Sequence, residues 1–334
     1  MFREWRERVN RWAASLDAPG RPFKALGYVA TYAALRAWVA LLSVFPMSAN
    51  LVTAGIFGEI WWLISARHRE RALDNLRHAL GDVYSETELR RIARHSFRHM
   101  ARVYLVELCL APRLVSEWSW ARYVELDDLS SGLRELLTDR GAILVTPHFG
   151  NYELLGYTLA QLGFHLNAVM RPLDNPLLNE HVMSTREAGG LSLLIKKGAA
   201  NQADALLAAG KPVCFIADQD AGRKGNFAVF FGRRASHYKS IGLLAMRHRV
   251  PIVCGSAART RDGFHYRVCV QRVIHPHEWV DTPRPLAWIT QQYALAMEAA
   301  IRAHPEQYLW MHRRWKSRPP DELEAAAPAG TTQS

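Results

Sequence analysis

The chain has 334 residues, of which 49% are hydrophobic, and it carries a formal net charge of +11 at pH 7. This length allows one large domain or two small ones. The positive charge predicts an anionic partner. No zinc-finger, P-loop or aromatic RNA-binding motif accompanies it, so a membrane surface is favoured over nucleic acid. The four cysteines include no Cys-x-x-Cys pair, which argues against a zinc site. Cys214, Cys254 and Cys269 lie in apolar, strand-like runs and are expected to be buried thiols, which fits a reducing cytoplasm.

The first 24 residues interleave tryptophan with arginine. The residues concerned are Trp5 and Trp12 among Arg3, Arg6, Arg8 and Arg11. This pattern is typical of an amphipathic helix on a membrane surface, and it fits a solvated helix end nearly as well.

A long apolar stretch follows, in which Arg36 and Glu59 are the only charged residues between Ala25 and Ser65. Roughly 20 apolar residues are needed to span a bilayer as a helix. One transmembrane helix is therefore possible by length. Pro46 and Asn50 interrupt the run, however, so two shorter helices that enter one leaflet are an equal alternative. A buried helix pair packed under the next domain is the third.

Basic residues flank this stretch on both sides, which favours a hairpin that enters and leaves the membrane on the cytoplasmic side. We therefore predict a membrane-anchoring region over residues 1–66. A helical pattern continues from Arg67 to Leu110, with a capping box from Ser85 to Glu88 between two of its helices.

From Leu126 onward, apolar runs of strand length alternate with helical patterns. The predicted strands are Ala142–Thr146, His165–Met170, Ser192–Ile195, Pro212–Ala217, Pro251–Ala257 and Tyr266–Val270. The predicted helices are Leu129–Thr138, Tyr152–Leu162, Pro176–Ala188, Ala199–Ala209, Lys239–His248 and Pro285–Ala303. Such alternation predicts an α/β sandwich with a mostly parallel central sheet, within one domain over residues 67–318. Residues 319–334 are rich in Pro, Ala and Gly and are predicted to be disordered.

A histidine, His148, lies where the first predicted strand gives way to a helix. Gly150 permits a tight turn, and Asn151 is a suitable N-cap. Glu153, in the first helical turn, can accept a hydrogen bond from one imidazole nitrogen, so that the other nitrogen acts as a base. The free N–H groups of the helix could stabilise an oxyanion. By themselves, these residues fit a solvated charge pair at a helix end better than a catalytic pair.

Further blocks follow the His-x-x-x-x-Glu pattern in order. They are Arg171–Pro176, Arg186, Ala217–Asp220, Phe230–Gly232 and Pro305–Lys316. Together they resemble the lipid A biosynthesis acyltransferases, which add secondary acyl chains and form a branch of the lysophospholipid acyltransferase superfamily. The resemblance covers about Arg67 to Pro319. The chain departs from the family at Arg233–Ser240, which is bulkier and more basic than the small residue and threonines usual there.

The resemblance implies an α/β fold and a membrane-associated O-acyltransferase at the cytoplasmic face of the inner membrane. His148 would be the general base and Glu153 its orienting partner. The predicted substrate-binding residues are Arg171, Asn175, Arg186, Asp218, Arg313 and Arg314. Of these, Arg171 and Arg186 would bind phosphates, Asp218 would position an arginine or the acceptor hydroxyl, and Arg313 and Arg314 would contact a headgroup.

No metal and no cofactor is expected, because the acyl thioester is itself a substrate. The expected partners are an acyl-carrier-protein or coenzyme A thioester and a glycolipid or phospholipid acceptor. Two alternatives stay open: acylation of another amphiphile, such as a lysophospholipid or a mannosylated lipid, and a non-catalytic lipid-binding membrane protein.

Overall fold

The computed structural model describes residues 2–16, 18, 20–170, 172–195, 199–261 and 263–322. The helices are α1 (Phe2–Ser15), α2 (Pro22–Val44), α3 (Met47–Ile64), α4 (Ala66–Leu80), α5 (Glu86–Arg102), α6 (Leu108–Leu114), α7 (Ser130–Leu136), α8 (Tyr152–Gln161), α9 (Pro176–Ala188), α10 (Ala199–Ala208), α11 (Lys239–His248) and α12 (Pro285–Ala303). A π-helical turn, Val103–Glu107, joins α5 to α6.

The strands are β1 (Val124–Asp127), β2 (Ile143–Thr146), β3 (Leu166–Met170), β4 (Leu191–Ile195), β5 (Val213–Ile216), β6 (Asn226–Phe230), β7 (Arg233–His237), β8 (Ile252–Arg259) and β9 (Tyr266–Ile274). Seven of them form one sheet in the order β1-β9-β8-β2-β5-β3-β4. Only the β8–β9 pair of this sheet is antiparallel. The predicted α/β fold with a mostly parallel sheet is confirmed.

All six predicted strands are present, and the bounds predicted for α9, α11 and α12 are met at both ends. The sequence reading missed three strands. β1 is an edge strand whose residues after Val124 are exposed, so it lacks the apolar run of a buried strand. β6 and β7 form a separate hairpin, whose turn places Phe231 and Gly232 at φ values of 51° and 74°. Two residues of positive φ fit a tight hairpin turn.

The N-terminal apolar stretch forms two helices, because α2 ends at Val44 and α3 begins at Met47. The side-chain amide of Asn50 donates to the carbonyl oxygens of Leu42 (2.8 Å) and Phe45 (3.2 Å), which satisfies the end of α2. The break excludes one continuous spanning helix. Each helix is by itself long and apolar enough to cross a membrane.

The helix α3 packs along α5 on one side and exposes apolar side chains on the other. Its exposed residues are Val52, Ile56, Phe57, Ile60, Leu63 and Ile64. On the inner side, the Glu59 carboxylate pairs with Arg94 at 2.5 Å and Arg98 at 3.5 Å. An apolar face of this size indicates membrane association.

Two residues of the predicted disordered tail are paired: Asp321 and Glu322 form ion pairs with Arg234. Residues 323–334 lie outside the described residues. Arg234 belongs to the segment Arg233–Ser240, which is the part of the sequence that departs from the family pattern.

We expect Gly58→Ala to destabilise the α3–α5 contact. A Cβ at Gly58 would lie 2.5 Å from the Arg98 Cα and 2.8 Å from the Phe97 carbonyl oxygen, so the helices must move apart. Overpacking of this kind costs roughly 1–3 kcal/mol. The matched control is Gly27→Ala in α2, where a Cβ would meet nothing within 4 Å. Thermal unfolding in detergent should show a lower Tm for Gly58→Ala alone; equal melting temperatures would contradict this packing.

Candidate active site

His148 and Asp218 come together through the register of two neighbouring strands. Strands β2 and β5 are parallel, and Thr146 pairs with Ile216 at their carboxyl ends. His148 and Asp218 each lie two residues beyond these partners. Since parallel strands end at the same edge of a sheet, where α/β proteins bind their ligands, both side chains reach one place.

The Asp218 carboxylate binds His148 through both of its oxygens. The His148 Nδ1 donates to Oδ1 at 2.7 Å, and the His148 backbone N–H donates to Oδ2 at 3.0 Å. The Asp218 side chain is buried, so its charge is not screened by solvent. This contact sets the neutral imidazole as the Nδ1–H tautomer and leaves Nε2 free to act as a base.

The two groups shift each other's pKa in opposite directions. Burial is the largest influence on His148 and opposes its charged form, but the Asp218 carboxylate, together with the smaller effect of Glu153, holds the pKa of His148 above its ordinary value. Burial likewise opposes ionisation of Asp218, yet the contact with His148 holds the pKa of Asp218 well below its ordinary range. His148 is therefore a stronger base than a solvated histidine.

The predicted hydrogen bond between Glu153 and His148 is wrong, because Asp218 is the partner of the imidazole. Glu153 instead forms a two-point ion pair with Arg186 of α9, in which Nε donates to Oε2 at 3.0 Å and Nη2 contacts Oε1. The N-cap prediction is confirmed, since the Asn151 side chain accepts from the Leu154 N–H at 2.9 Å. Starting α8 at Tyr152 directs Glu153 towards α9 rather than back to the turn.

Two adjacent cavities share this ion pair as part of their lining. The larger, which we call the reaction cavity, has a volume of about 650 Å³ and is lined by His148. The smaller, the inner cavity, has a volume of about 130 Å³ and lies between one face of the sheet and the helices α7 and α8. Tyr152, Glu153 and Arg186 line both.

A buried base beside two adjacent cavities is the arrangement expected for transfer of an apolar group, and comparison with known proteins decides the family. The sequence model of the bacterial lipid A biosynthesis acyltransferases matches residues 20–317. The chain belongs to this family.

Named relatives agree with this assignment and confirm the resemblance. The chain is 27% identical to the lipid A biosynthesis palmitoleoyltransferase of Escherichia coli over 246 residues, covering 72% of this chain and 76% of the relative. It is 28% identical to the lipid A biosynthesis lauroyltransferase of the same species, over 60% of this chain and 66% of the relative. It is 26% identical to the phosphatidylinositol mannoside acyltransferase of Mycolicibacterium smegmatis, over 60% of this chain and 64% of the relative.

The block Pro305–Lys316, which we call the closing motif, braces the turn that carries His148. The Leu309 N–H donates to the His148 carbonyl oxygen at 3.3 Å, and the Gly150 N–H donates to the Gln307 carbonyl oxygen at 3.1 Å. Gly150 has a φ of 54°, and a Cβ there would lie 1.8 Å from the Ala257 carbonyl oxygen, so only glycine fits.

Within the closing motif, the predicted headgroup contact of Arg314 is wrong. Arg314 is buried, donates to the Ser236 carbonyl oxygen at 2.7 Å, contacts His237 and lies over the Phe230 ring. These contacts tie the closing motif to the β6–β7 hairpin. The buried Arg314 guanidinium supplies hydrogen-bond donors to hairpin groups that solvent does not reach. Arg313 is exposed, as a headgroup contact requires.

The remaining predicted residues differ in outcome. Asn175 caps α9 by accepting from the Leu177 and Leu178 N–H groups, and its amide donates to the Tyr28 carbonyl oxygen at 3.0 Å. Both ends of its side chain are thus occupied by backbone, which gives it a structural role in place of the predicted substrate contact. Arg171 lies outside the described residues.

The sequence reading missed a buried network that holds Asn151. Glu107, in the π-helical turn, accepts from the Asn151 amide (2.9 Å) and the Tyr266 hydroxyl (2.5 Å) and pairs with Arg259. π-helical turns are frequent at functional sites. The signal was a lone acidic residue inside the apolar run Val103–Leu110. Within the described part of the chain, no three His, Cys, Asp or Glu side chains form a group that could hold a metal ion.

The pH dependence of the reaction should follow the pKa of His148. Because this pKa is raised, kcat/KM should fall with decreasing pH already above the ordinary histidine value of about 6.5. Asp218→Asn removes the charge that raises the pKa and leaves burial, which lowers it. We therefore expect the acidic limb to move to lower pH, while the plateau falls by roughly 10²–10⁴.

The matched control is Asp204→Asn, which breaks a similar contact of 2.8 Å to His248 away from the site. The control should leave both the limb and the plateau unchanged. A limb that stays in place in Asp218→Asn would show that another group controls the base.

Proposed function

We propose that the protein transfers a fatty acyl group from an acyl thioester to a hydroxyl of a lipid A-like glycolipid, at the cytoplasmic face of the inner membrane. The observation that carries this proposal is the buried His148–Asp218 contact at the wall of the reaction cavity. Family membership supplies the reaction class, and the two exposed apolar helices support the location.

In the proposed reaction, the His148 Nε2 takes the proton of the acceptor hydroxyl as its oxygen attacks the thioester carbonyl carbon. The imidazolium that forms is stabilised by the Asp218 carboxylate. The tetrahedral intermediate then collapses, the carbon–sulfur bond breaks, and the thiolate leaves and recovers the proton from His148. No covalent enzyme intermediate is required, so base and orienting carboxylate are sufficient.

Glu153 and Arg186 act on the thioester carbonyl in this proposal. Their ion pair lies at the junction of the two cavities, where the thioester must sit if its acyl chain enters the inner cavity. Arg186, held by Glu153, stabilises the negative charge that develops on the carbonyl oxygen. Glu153 is thus a positioning residue for Arg186.

The inner cavity suits the end of a hydrocarbon chain. Apart from the residues at the junction, its lining is almost wholly apolar and comes from the sheet, α7 and α8. The lining at its β8–β9 side includes Gly132, Val253 and Val270. In this proposal, the rest of the acyl chain, the thioester group and the headgroup of the acceptor occupy the larger reaction cavity.

The helix α2 connects this site to the membrane. Its residues Leu35 and Val39 line the reaction cavity, while Leu26, Leu41 and Val44 are exposed on the same helix. A lipid acceptor would therefore reach His148 along α2 without crossing water. The donor in this proposal is an acyl-carrier-protein or coenzyme A thioester.

His148→Ala should abolish acyl transfer without unfolding the protein. Loss of a general base typically lowers the rate about 10²–10⁴-fold. The control is His165→Ala, an exposed histidine just before β3. Thioester consumption and acylated glycolipid, measured with the purified protein in detergent, should be lost only in His148→Ala. Near-normal turnover by folded His148→Ala protein would remove the basis of this mechanism.

Gly132→Ala should shift the preference of the enzyme towards shorter acyl chains. A Cβ at Gly132 would lie 2.7 Å from Val270 Cγ2 and 3.0 Å from Val253 Cγ1, so these side chains must move into the cavity. A buried methylene is worth about 0.8 kcal/mol, which is roughly a fourfold change in selectivity per carbon. Val270→Ala should shift the preference in the opposite direction.

Competition between thioesters of different chain length measures both shifts. Gly27→Ala serves as the control outside the cavity. An unchanged chain-length profile in both cavity variants would show that the acyl chain does not occupy the inner cavity.

A further inference from the structure

One charged residue of the apolar helices has no role in the fold or mechanism described so far. Of the two charges between Ala25 and Ser65, Glu59 is accounted for by its ion pairs with α5. Arg36 of α2 has no carboxylate partner among the described residues; its guanidinium donates to the Tyr32 hydroxyl at 3.1 Å. A charge on a helix of this kind is costly and is usually retained for function.

Arg36 belongs to a helix that packs on two others. α2 packs on α6 and on α9, and these two helices also pack on each other. Arg36 of α2, Arg113 of α6 and His181 of α9 are basic side chains on these three helices. The Tyr32 ring, which Arg36 covers at 5.9 Å, meets the His181 ring at 6.0 Å. Arg36 and His181 are therefore joined through one aromatic side chain.

Two of these basic groups line the reaction cavity, and the exposed Arg36 lies beside it. Arg113 and His181 line it, as does Leu35, the neighbour of Arg36. Glu153 is the acidic residue of the same lining, and Arg186 already neutralises it. Within the described part of the chain, Arg113 has a hydroxyl partner, Ser43 at 3.1 Å, and no carboxylate. The mouth of the cavity therefore carries uncompensated positive charge.

The state of His181 agrees with this excess of charge. Burial first, and then the nearby Arg36 and Arg113, lower the pKa of His181. Both guanidinium groups thus act on the same imidazole. An anion placed among the three side chains would relieve their mutual repulsion and would accept hydrogen bonds from each of them.

We propose that Arg36, Arg113 and His181 form a binding site for a phosphate ester carried by a substrate at the mouth of the reaction cavity. Two guanidinium groups suit a phosphate, because each offers a planar pair of donors. This inference rests on the proposed acyl transfer. It assigns the phosphate to the lipid acceptor, since one wall of the site is α2, whose apolar face contacts the membrane.

The test uses the full-length protein in detergent micelles and one synthetic glycolipid acceptor made with and without a phosphate monoester. The variants are Arg36→Gln, Arg113→Gln and the double variant. Arg247→Gln, an exposed arginine paired with Asp204, is the matched control. KM and kcat are measured for each acceptor and for the acyl thioester donor, and a melting curve checks the fold of each variant.

We expect each single variant to raise the KM for the phosphorylated acceptor by about tenfold, because a hydrogen bond to a charged group is worth about 1.5–3 kcal/mol. The dephosphorylated acceptor and the control should show little change, and kcat should be nearly unchanged. Arg36→Lys should recover part of the lost affinity, because it keeps the positive charge but lacks the planar pair of guanidinium donors.

A rise in the KM of the thioester donor alone would keep the phosphate site but overturn its assignment to the acceptor. An equal response to both acceptors, or none in folded variants, would overturn the site itself. Absence of transfer by the unmodified protein would be a failure of the proposed function. In that case, binding of micelles doped with the phosphorylated and dephosphorylated glycolipid tests the site directly: Arg36→Gln should abolish the preference for the phosphorylated form, and no preference in the unmodified protein would overturn the site.

Discussion

The contact between His148 and Asp218 is the constraint on which the rest of this structure depends. It joins residues 70 positions apart, and it exists because β2 and β5 end in register at the same edge of the sheet. Both groups are buried, so their attraction is strong, and the same burial makes a missing partner costly. The turn, the closing motif and the Glu107 network all hold the segment that presents His148.

The site contains two separate pairs of an acidic and a basic side chain. Asp218 contacts His148, while Glu153 pairs with Arg186 where the two cavities adjoin. Each carboxylate therefore has one basic partner. The apolar inner cavity, the ion pair and the basic mouth then follow one another from the sheet towards the membrane helices. In the proposed reaction, this order accommodates the acyl chain, the thioester carbonyl and the phosphorylated headgroup of the acceptor in turn.

Much of the fold could be predicted because periodic apolar patterns are local. The buried strands and the long helices of the α/β region carry such patterns. The edge strand β1 is half polar, and the β6–β7 hairpin depends on Phe231 in a left-handed conformation, which an aromatic residue rarely adopts. Neither leaves a clear local signal.

The pairing of the candidate site residues could not be predicted from the sequence. His148, Glu153, Arg186 and Asp218 were all identified, yet the partner of His148 was sought within its own segment. Helix geometry turns Glu153 to α9, and only the strand register brings Asp218 to the imidazole. Arg314 shows the same limit, because a basic and aromatic sequence was interpreted as exposed although the surrounding elements bury it.

The protonation state of the His148 ring tests most directly whether Asp218 sets the tautomer of the catalytic base. Nitrogen NMR of protein labelled at histidine, assigned with His148→Ala, distinguishes the two neutral tautomers. We expect the Nδ1–H tautomer above the pKa of His148, and we expect Asp218→Asn to change this signal far more than Glu153→Gln does. A ring protonated at Nε2, or a signal that responds to Glu153 and not to Asp218, would contradict the assignment of the catalytic base.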